Sequence, residues 1–171
     1  EQVQRILAWM EARTTEENLN LDKELKVEIR KHPEVLMLCL ITKGKWIVTD
    51  YHGMSINGDK LYITGTKDSP LERHLYCVDT KSGKSENLTN VSGYHSITAN
   101  EDCSIFIDNY ASTKVPREVR LLGEKGAVLE VLHTATNPLS DYKLGEMELG
   151  VLKGKSGDDL HYRVFKPIDF D

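Results

Sequence analysis

The sequence predicts an all-β chain organised as a partial β-propeller: about two four-stranded antiparallel blades, strands flanking them and an exit hairpin. Two observations predict it. Short stretches of alternating or clustered apolar residues recur along the chain, each bounded by turn residues, as half-buried strands are. The stretch from residue 43 to 89 is then echoed by 93–133. Tyr94 stands where Trp46 stood, Ile105-Phe106-Ile107 where Leu61-Tyr62-Ile63 stood, and Gly126 where Gly83 stood, a spacing of 43 to 48 residues. That period suits a four-stranded blade.

In the first repeat, Trp46, Val48 and Asp50 open a strand and Asn57-Gly58-Asp59 supplies a turn of residues that tolerate positive φ. Leu61 to Ile63 is the second strand. Lys67-Asp68-Ser69-Pro70 turns the chain, with Pro presetting φ, into His74 to Val78. Thr80 to Lys84 leads to a fourth strand, Ser85 to Thr89. In the second repeat, Asn100-Glu101-Asp102 turns between the first two strands, and Glu124-Lys125-Gly126 precedes the last, Val128 to Leu132. After His133 loop vocabulary takes over, Asn137-Pro138 and Ser140-Asp141. Two alternating stretches, Glu146 to Lys153 and Leu160 to Phe165, flank Gly154 to Asp159, a hairpin turn by composition. Lys166-Pro167 ends the second, because Pro cannot donate to a ladder.

Ahead of the repeats, residues 1–42 divide differently. Val3, Ile6, Leu7 and Met10 recur at helical spacing, although a strand over Gln4 to Met10 fits nearly as well. Leu25, Val27 and Ile29 alternate with charges as a strand with one wet face, and Val35 to Ile41 reads as a central strand.

Composition narrows the function classes. With 39% hydrophobic and 29% charged residues in 171, the chain is an ordinary globular one with room for a core. A formal charge of -5 suggests neither nucleic acid nor an anionic membrane as partner. No apolar run approaches the roughly 20 residues of a membrane-spanning helix. The opening EQVQRILAWMEAR lacks the build of a secretory signal, so either a cytoplasmic protein or a start inside a longer chain is expected, the second favoured. Cys39, Cys77 and Cys103 lack metal or disulfide spacing and read as small buried hydrophobes.

The words KGKWIVTD, over residues 43–50, and TKDSPLERHLY, over Thr66 to Tyr76, with separated similarity from Leu40 to Asp171 in the expected order, closely resemble the last part of the propeller in the dipeptidyl peptidase IV family, of the prolyl oligopeptidase clan. The resemblance implies a propeller set over an α/β-hydrolase domain, in a serine exopeptidase that removes amino-terminal dipeptides, often after Pro. It implies three parts: 1–42 as a preceding blade or cap, 43–133 as two blades, and 134–171 as exit hairpin and linker towards the hydrolase domain, an absent part of the same parent chain. Gating of peptide substrates and docking of that domain are the implied roles. A non-enzymatic propeller that binds a protein partner is the alternative. Periplasmic, extracellular and cytoplasmic compartments and an oligomer all stay open.

Candidate chemistry is sparse. No G-x-S-x-G elbow occurs, so no catalytic residue is assigned and the chain alone should be inactive. Gly154-Lys155-Ser156-Gly157 and Gly83-Lys84-Ser85 read as turns, since neither has the earlier glycine of a phosphate loop. His32, His52, His74, His95, His133 and His161 lack ligand spacing; no metal and no cofactor is expected. His74 and His95, at strand starts, could face a channel or partner, though bonding to a neighbour is the ordinary role of such a residue. Asp68, Glu72 and Arg73 bracket Pro70 and read as a solvated loop able to form an ion pair. In the family the acidic pair that grips the substrate amine lies in an earlier stretch, and Glu16-Glu17 does not match its context. Asn87-Leu88-Thr89 and Asn90-Val91-Ser92 are formal glycosylation acceptors.

Overall fold

The computed structural model describes residues 46–169. The helix or strand expected near Val3 to Met10, the strands Leu25 to Ile29 and Val35 to Ile41, Glu16-Glu17, His32 and Cys39 lie outside the described residues.

Among the described residues, ten strands make two four-stranded sheets and a hairpin. The first sheet is β1 (Val48–Met54), β2 (Lys60–Gly65), β3 (His74–Asp79) and β4 (Ser85–Asn87). The second is β5 (Tyr94–Ala99), β6 (Ile105–Ala111), β7 (Glu118–Gly123) and β8 (Val128–Thr134). Both are antiparallel meanders in sequence order. β9 (Met147–Lys153) and β10 (Asp159–Phe165) pair, among the described residues, only with each other. All-β architecture and two four-stranded blades with an exit hairpin are thus as the sequence predicts. β4 stops at Asn87, short of the expected Thr89, because Leu88 and Thr89 turn inward.

The repeat is physical as well as textual. Gly83 and Gly126 both take positive φ, 71° and 77°, at the turn before the last strand of their sheets. That left-handed conformation is open to glycine at little cost.

Alternation along the strands sorts two cores. Leu61, Ile63, Tyr76, Val78 and Met54 share one face of the first sheet, with Trp46, Val48 and Tyr51 against them. Tyr62, Leu75, Leu88, Cys103, Phe106 and Leu122 fill the layer between the sheets, joined by Cys77, Ile97 and Ala99. β2 is therefore buried on both faces, which explains its unbroken apolar run. Tyr62 and Phe106 meet at 5.1 Å between ring centroids, a tilted pair worth about 1 kcal/mol beyond its area burial. At the far rim Lys60 pairs with Glu124 at 2.5 Å and Tyr62 donates to the same carboxylate at 3.3 Å. That pair is part-exposed and adds at most about 1 kcal/mol.

A meander puts the β2–β3 and β6–β7 loops and the β4–β5 connection at one end. The chain also leaves β8 there, where the Ala135 N–H donates to the Arg117 carbonyl at 2.9 Å.

Candidate functional site

The two sheets are stitched together at that shared end. The Arg73 N–H donates to the Gly93 carbonyl at 3.3 Å, and the His95 N–H returns to the Arg73 carbonyl at 3.0 Å. Gly93 has φ +149°, and a Cβ there would lie 2.5 Å from the Ala111 carbonyl oxygen and 2.8 Å from the Tyr110 ring. Only a residue without a side chain lets the two backbones approach so closely.

Two buried histidines fill the joint, with ring centroids 5.2 Å apart. His95 Nδ1 meets Asp108 Oδ2 at 2.9 Å, and its Nε2 meets the Val91 carbonyl at 2.9 Å. His74 Nδ1 meets the Thr89 carbonyl at 2.6 Å, and its Nε2 meets Glu72 Oε2 at 3.0 Å. The His95 ring stacks on Tyr110 at 4.9 Å, and the Arg120 guanidinium lies 4.1 Å from the centroid of that same ring. Tyr110 donates to the Ser92 carbonyl at 3.1 Å, and the Ser92 hydroxyl donates to Glu72. The result is two polar pairs, Asp108 with His95 and Glu72 with His74, whose imidazole rings adjoin at a tilt of 36°.

Glu72 is the accessible member of these pairs. Burial pushes its carboxyl up, but hydrogen bonds from His74 and Ser92 and the charges of His74 and His95 outweigh that and hold it below the usual carboxylate range. It borders a cavity of about 700 Å³ whose wall also includes Leu71, Val91, Tyr94, Met147 and Leu149. A second hollow of about 570 Å³, by Phe165 and Pro167, shares Thr113 and Met147 with the first. Together they form an apolar furrow between the blade ends and the hairpin, with one fixed anion in its wall.

The other singled-out residues fall elsewhere. Asp68 is not Arg73's partner: it accepts from Tyr76 Oη at 3.1 Å and from Asn87 Nδ2 at 2.6 Å. Arg73 donates to the carbonyls of Pro70 and Glu72. Asn87 also accepts from the Thr89 N–H at 2.8 Å, so both ends of its amide are engaged, whereas Asn90 is exposed. His52 bonds Thr64 Oγ1 at 2.6 Å, and burial lowers its pKa against the raising charge of Asp50. His133 and His161 are exposed on strands. Gly83-Lys84-Ser85 and Gly154 to Gly157 form turns, with Gly83 N–H donating to Asp79 at 2.8 Å and Gly157 N–H to Gly154 at 3.0 Å. Among the described residues no three His, Cys, Asp or Glu side chains converge as metal ligands would. No helix of the described residues is long and apolar enough to cross a membrane.

Sequence reading singles out Glu72, His74 and His95 separately and misses Asp108, Tyr110 and Ser92. One signal was available. Phe106, Asp108 and Tyr110 share the inward phase of β6, so an acid stands where an apolar residue belongs.

Comparison with known proteins places this joint in a family context. The family described as "Dipeptidyl peptidase IV (DPP IV) N-terminal region" matches residues 17–117, reaching well ahead of Leu40, where the word resemblance begins. Dipeptidyl peptidase 8 of Homo sapiens is 33% identical over 145 residues, covering 75% of this chain and 16% of the relative. The Mus musculus protein of that name is 31% identical over 144 residues, with the same coverage. The crystal structure of Porphyromonas gingivalis dipeptidyl peptidase 4 aligns with a TM-score of 0.68 and 27% identity over 77% of this chain and 19% of that one. The chain thus spans about a sixth of the length of the curated relatives it matches. Two stacked four-stranded blades, with a family match running from residue 17 through the first blade and the first two strands of the second, establish that this chain belongs to the dipeptidyl peptidase IV N-terminal region family.

Proposed function

We propose that this chain is the propeller portion of a dipeptidyl-peptidase-like serine exopeptidase, gating peptide access and docking an α/β-hydrolase domain of the same parent chain. Residues 43–133 are the two blades, 134–171 carry the chain towards the hydrolase domain, and 1–42 belong to a preceding blade or cap. The observation that carries the proposal is the placement of the exit. β8, the hairpin and the furrow beside Glu72 all lie at the end where the blades are stitched, so a domain entered through residues 134–171 would face that furrow. In the parent, acyl transfer would run through a Ser-His-Asp triad with an oxyanion hole, all supplied by the hydrolase domain.

The test is the reading frame of the parent gene and the activity of its product. The frame is expected to continue past Asp171 into a G-x-S-x-G elbow, with Asp and His further on. The full product should release chromophore from Gly-Pro or Ala-Pro substrates and be silenced by a serine-directed reagent, while the 171-residue chain should release none. A downstream domain without serine at the elbow would replace the peptidase reading with that of a partner-binding propeller.

A further inference from the structure

We infer that the blade joint is a proton-held latch: His74 and His95 each keep one proton in the gap to a carboxylate, and the joint loosens when rising pH takes those protons into solvent. The inference stands on the joint alone and holds whether or not the parent is a peptidase.

The hydrogen-bond inventory carries it. A neutral imidazole has one N–H and one lone pair, so it meets one acceptor and one donor. Here each ring meets an acceptor on both sides. His95 Nε2 faces the Val91 carbonyl and its Nδ1 faces Asp108, both at 2.9 Å, while His74 Nδ1 faces the Thr89 carbonyl at 2.6 Å and its Nε2 faces Glu72 at 3.0 Å. The Thr89 hydroxyl, 3.2 Å from His74 Nδ1, already accepts the Leu75 N–H and donates to Asn87 Oδ1. A carbonyl only accepts, so the nitrogen that faces it carries a hydrogen. A second hydrogen then fills each gap between ring and carboxylate, and it belongs to the pair. Without it a nitrogen lone pair would face a carboxylate oxygen. His74, His95 and Asp108 each keep 3% of their surface or less in water, so solvent cannot relieve that contact.

The charges around the rings set the order of release. Glu72, from the β2–β3 loop, and Tyr76, along β3, face His74, while Asp108 and Tyr110 of β6 face His95. Beyond Tyr110 stands Arg120 of β7, itself paired with Glu118. The two rings lie 5.2 Å apart, so when both are charged they repel, and the first proton to leave relieves that repulsion. Losing it from the inner pair would strand Asp108, whose carboxylate is buried and whose Oδ1 has no hydrogen-bond partner among the described residues. Glu72 keeps 23% of its side chain in water, so the outer pair, Glu72 with His74, lets go first. The closed joint holds more protons than the loosened one, and its stability therefore falls as pH rises. The stitch loosens with it, because the Arg73-to-Gly93 and His95-to-Arg73 backbone bonds flank the rings. Glu72, Ser92 and Tyr110 also line the cavity, so its wall slackens at the same step.

The experiment is amide hydrogen exchange of the 171-residue chain, read residue by residue by NMR between pH 7 and pH 9, at concentrations where light scattering gives one species. Protection factors, which remove the intrinsic pH dependence of exchange, are compared for the Arg73 and His95 amides and for Ile63 and Tyr76 inside the first sheet. Protection at Arg73 and His95 is expected to fall about tenfold or more, and at Ile63 and Tyr76 to stay level. Glu72→Gln offers His74 an amide that donates as well as accepts, so a neutral ring is satisfied and the fall should shrink. Level protection at the joint overturns the inference, as does a fall shared equally with Ile63 and Tyr76, which would report global opening. A Glu72→Gln chain that keeps the full fall overturns it too. Should Glu72→Gln fail to fold, the two sets of amides in the unmodified chain still decide. No outcome bears on the downstream elbow, so the peptidase reading and the latch fail independently.

Discussion

Cys103 holds a backbone φ of 55°, in the left-handed region that side chains other than glycine rarely adopt. It stands in the β5–β6 turn, where its N–H donates to the Asn100 carbonyl at 3.1 Å, and its thiol is wholly buried between the sheets with Tyr62 and Phe106. Packing and backbone thus pull in opposite directions. Cys103→Ala should lose about 1 kcal/mol, because the sulfur's contacts vanish while the strain stays. Cys103→Gly loses the same contacts and more, but regains about 1 kcal/mol of conformational ease, so it should match or exceed the alanine variant in urea midpoint at unchanged slope. A glycine variant well below the alanine one would show that φ costs nothing here. Burial, with some help from the Asp102 charge, pushes the Cys103 thiol up to about 11. Iodoacetamide at pH 8 should therefore mark the half-buried Cys77 well before Cys103, as peptide mapping would show. The sequence already reads both cysteines as buried hydrophobes. The left-handed φ was not legible, since nothing in the Cys103 side chain announces it as Gly or Asn would.

At the level of elements, the joint between β3 and β5 concentrates the polar stability of the fold. Asp108 is buried, and while one oxygen meets His95, the other, Oδ1, has no hydrogen-bond partner among the described residues. Asp108→Leu leaves the buried His95 Nδ1 without its partner and should cost about 2 kcal/mol. Replacing both partners, as His95→Phe with Asp108→Leu, should recover part of that loss in a double-mutant comparison. Glu72 adds a pH signature to the same joint. Its carboxyl is lowered from 4.5 in the folded chain, so its contribution is complete above about pH 4.5 and fades as pH falls through the lower folded value. The stability gap between the unmodified chain and Glu72→Gln should accordingly be constant at neutral pH and shrink in acid. A gap that stays fixed down to pH 3 would mean that the carboxylate charge contributes nothing. The strands themselves were legible because alternation and turn residues are local signals. β7 was not read from its own residues: Val119, Leu121 and Leu122 interrupt strict alternation, and only the repeat implies it. The joint was legible least, because it forms where blades stack. Residues 13 to 20 apart in sequence, such as His95 and Asp108 or Glu72 and Ser92, meet there through topology rather than pattern.

At the scale of the whole molecule, the stack of sheets leaves one face without a cover among the described residues. In β6, Phe106, Asp108 and Tyr110 point into the layer shared with the first sheet, so Ile105 and Ile107 point the other way, and both are exposed. Leu129 of β8, whose side chain lies against Gly123 opposite Ile105, extends that apolar surface towards the sheet's free edge, while the hairpin exposes Leu149, Val151, Leu152, Leu160 and Phe165. A propeller blade ordinarily has a neighbour on each face, and β8 also presents unpaired backbone donors and acceptors to any strand that meets it. Burial of four such aliphatic side chains would stabilise an association by several kcal/mol before its entropic cost, at about 25 cal/mol per Å². The 171-residue chain is therefore expected to self-associate above micromolar concentration and to bind an apolar dye, with Ile107→Lys and Leu129→Lys shifting light scattering back towards the monomer mass. Those substitutions act on the exposed side of the second sheet and should leave the melting transition of the inter-sheet core in place. A monodisperse, dye-silent chain at tens of micromolar would instead mean that this face is content in water, and the partial propeller would then be a free-standing module rather than a section of a ring.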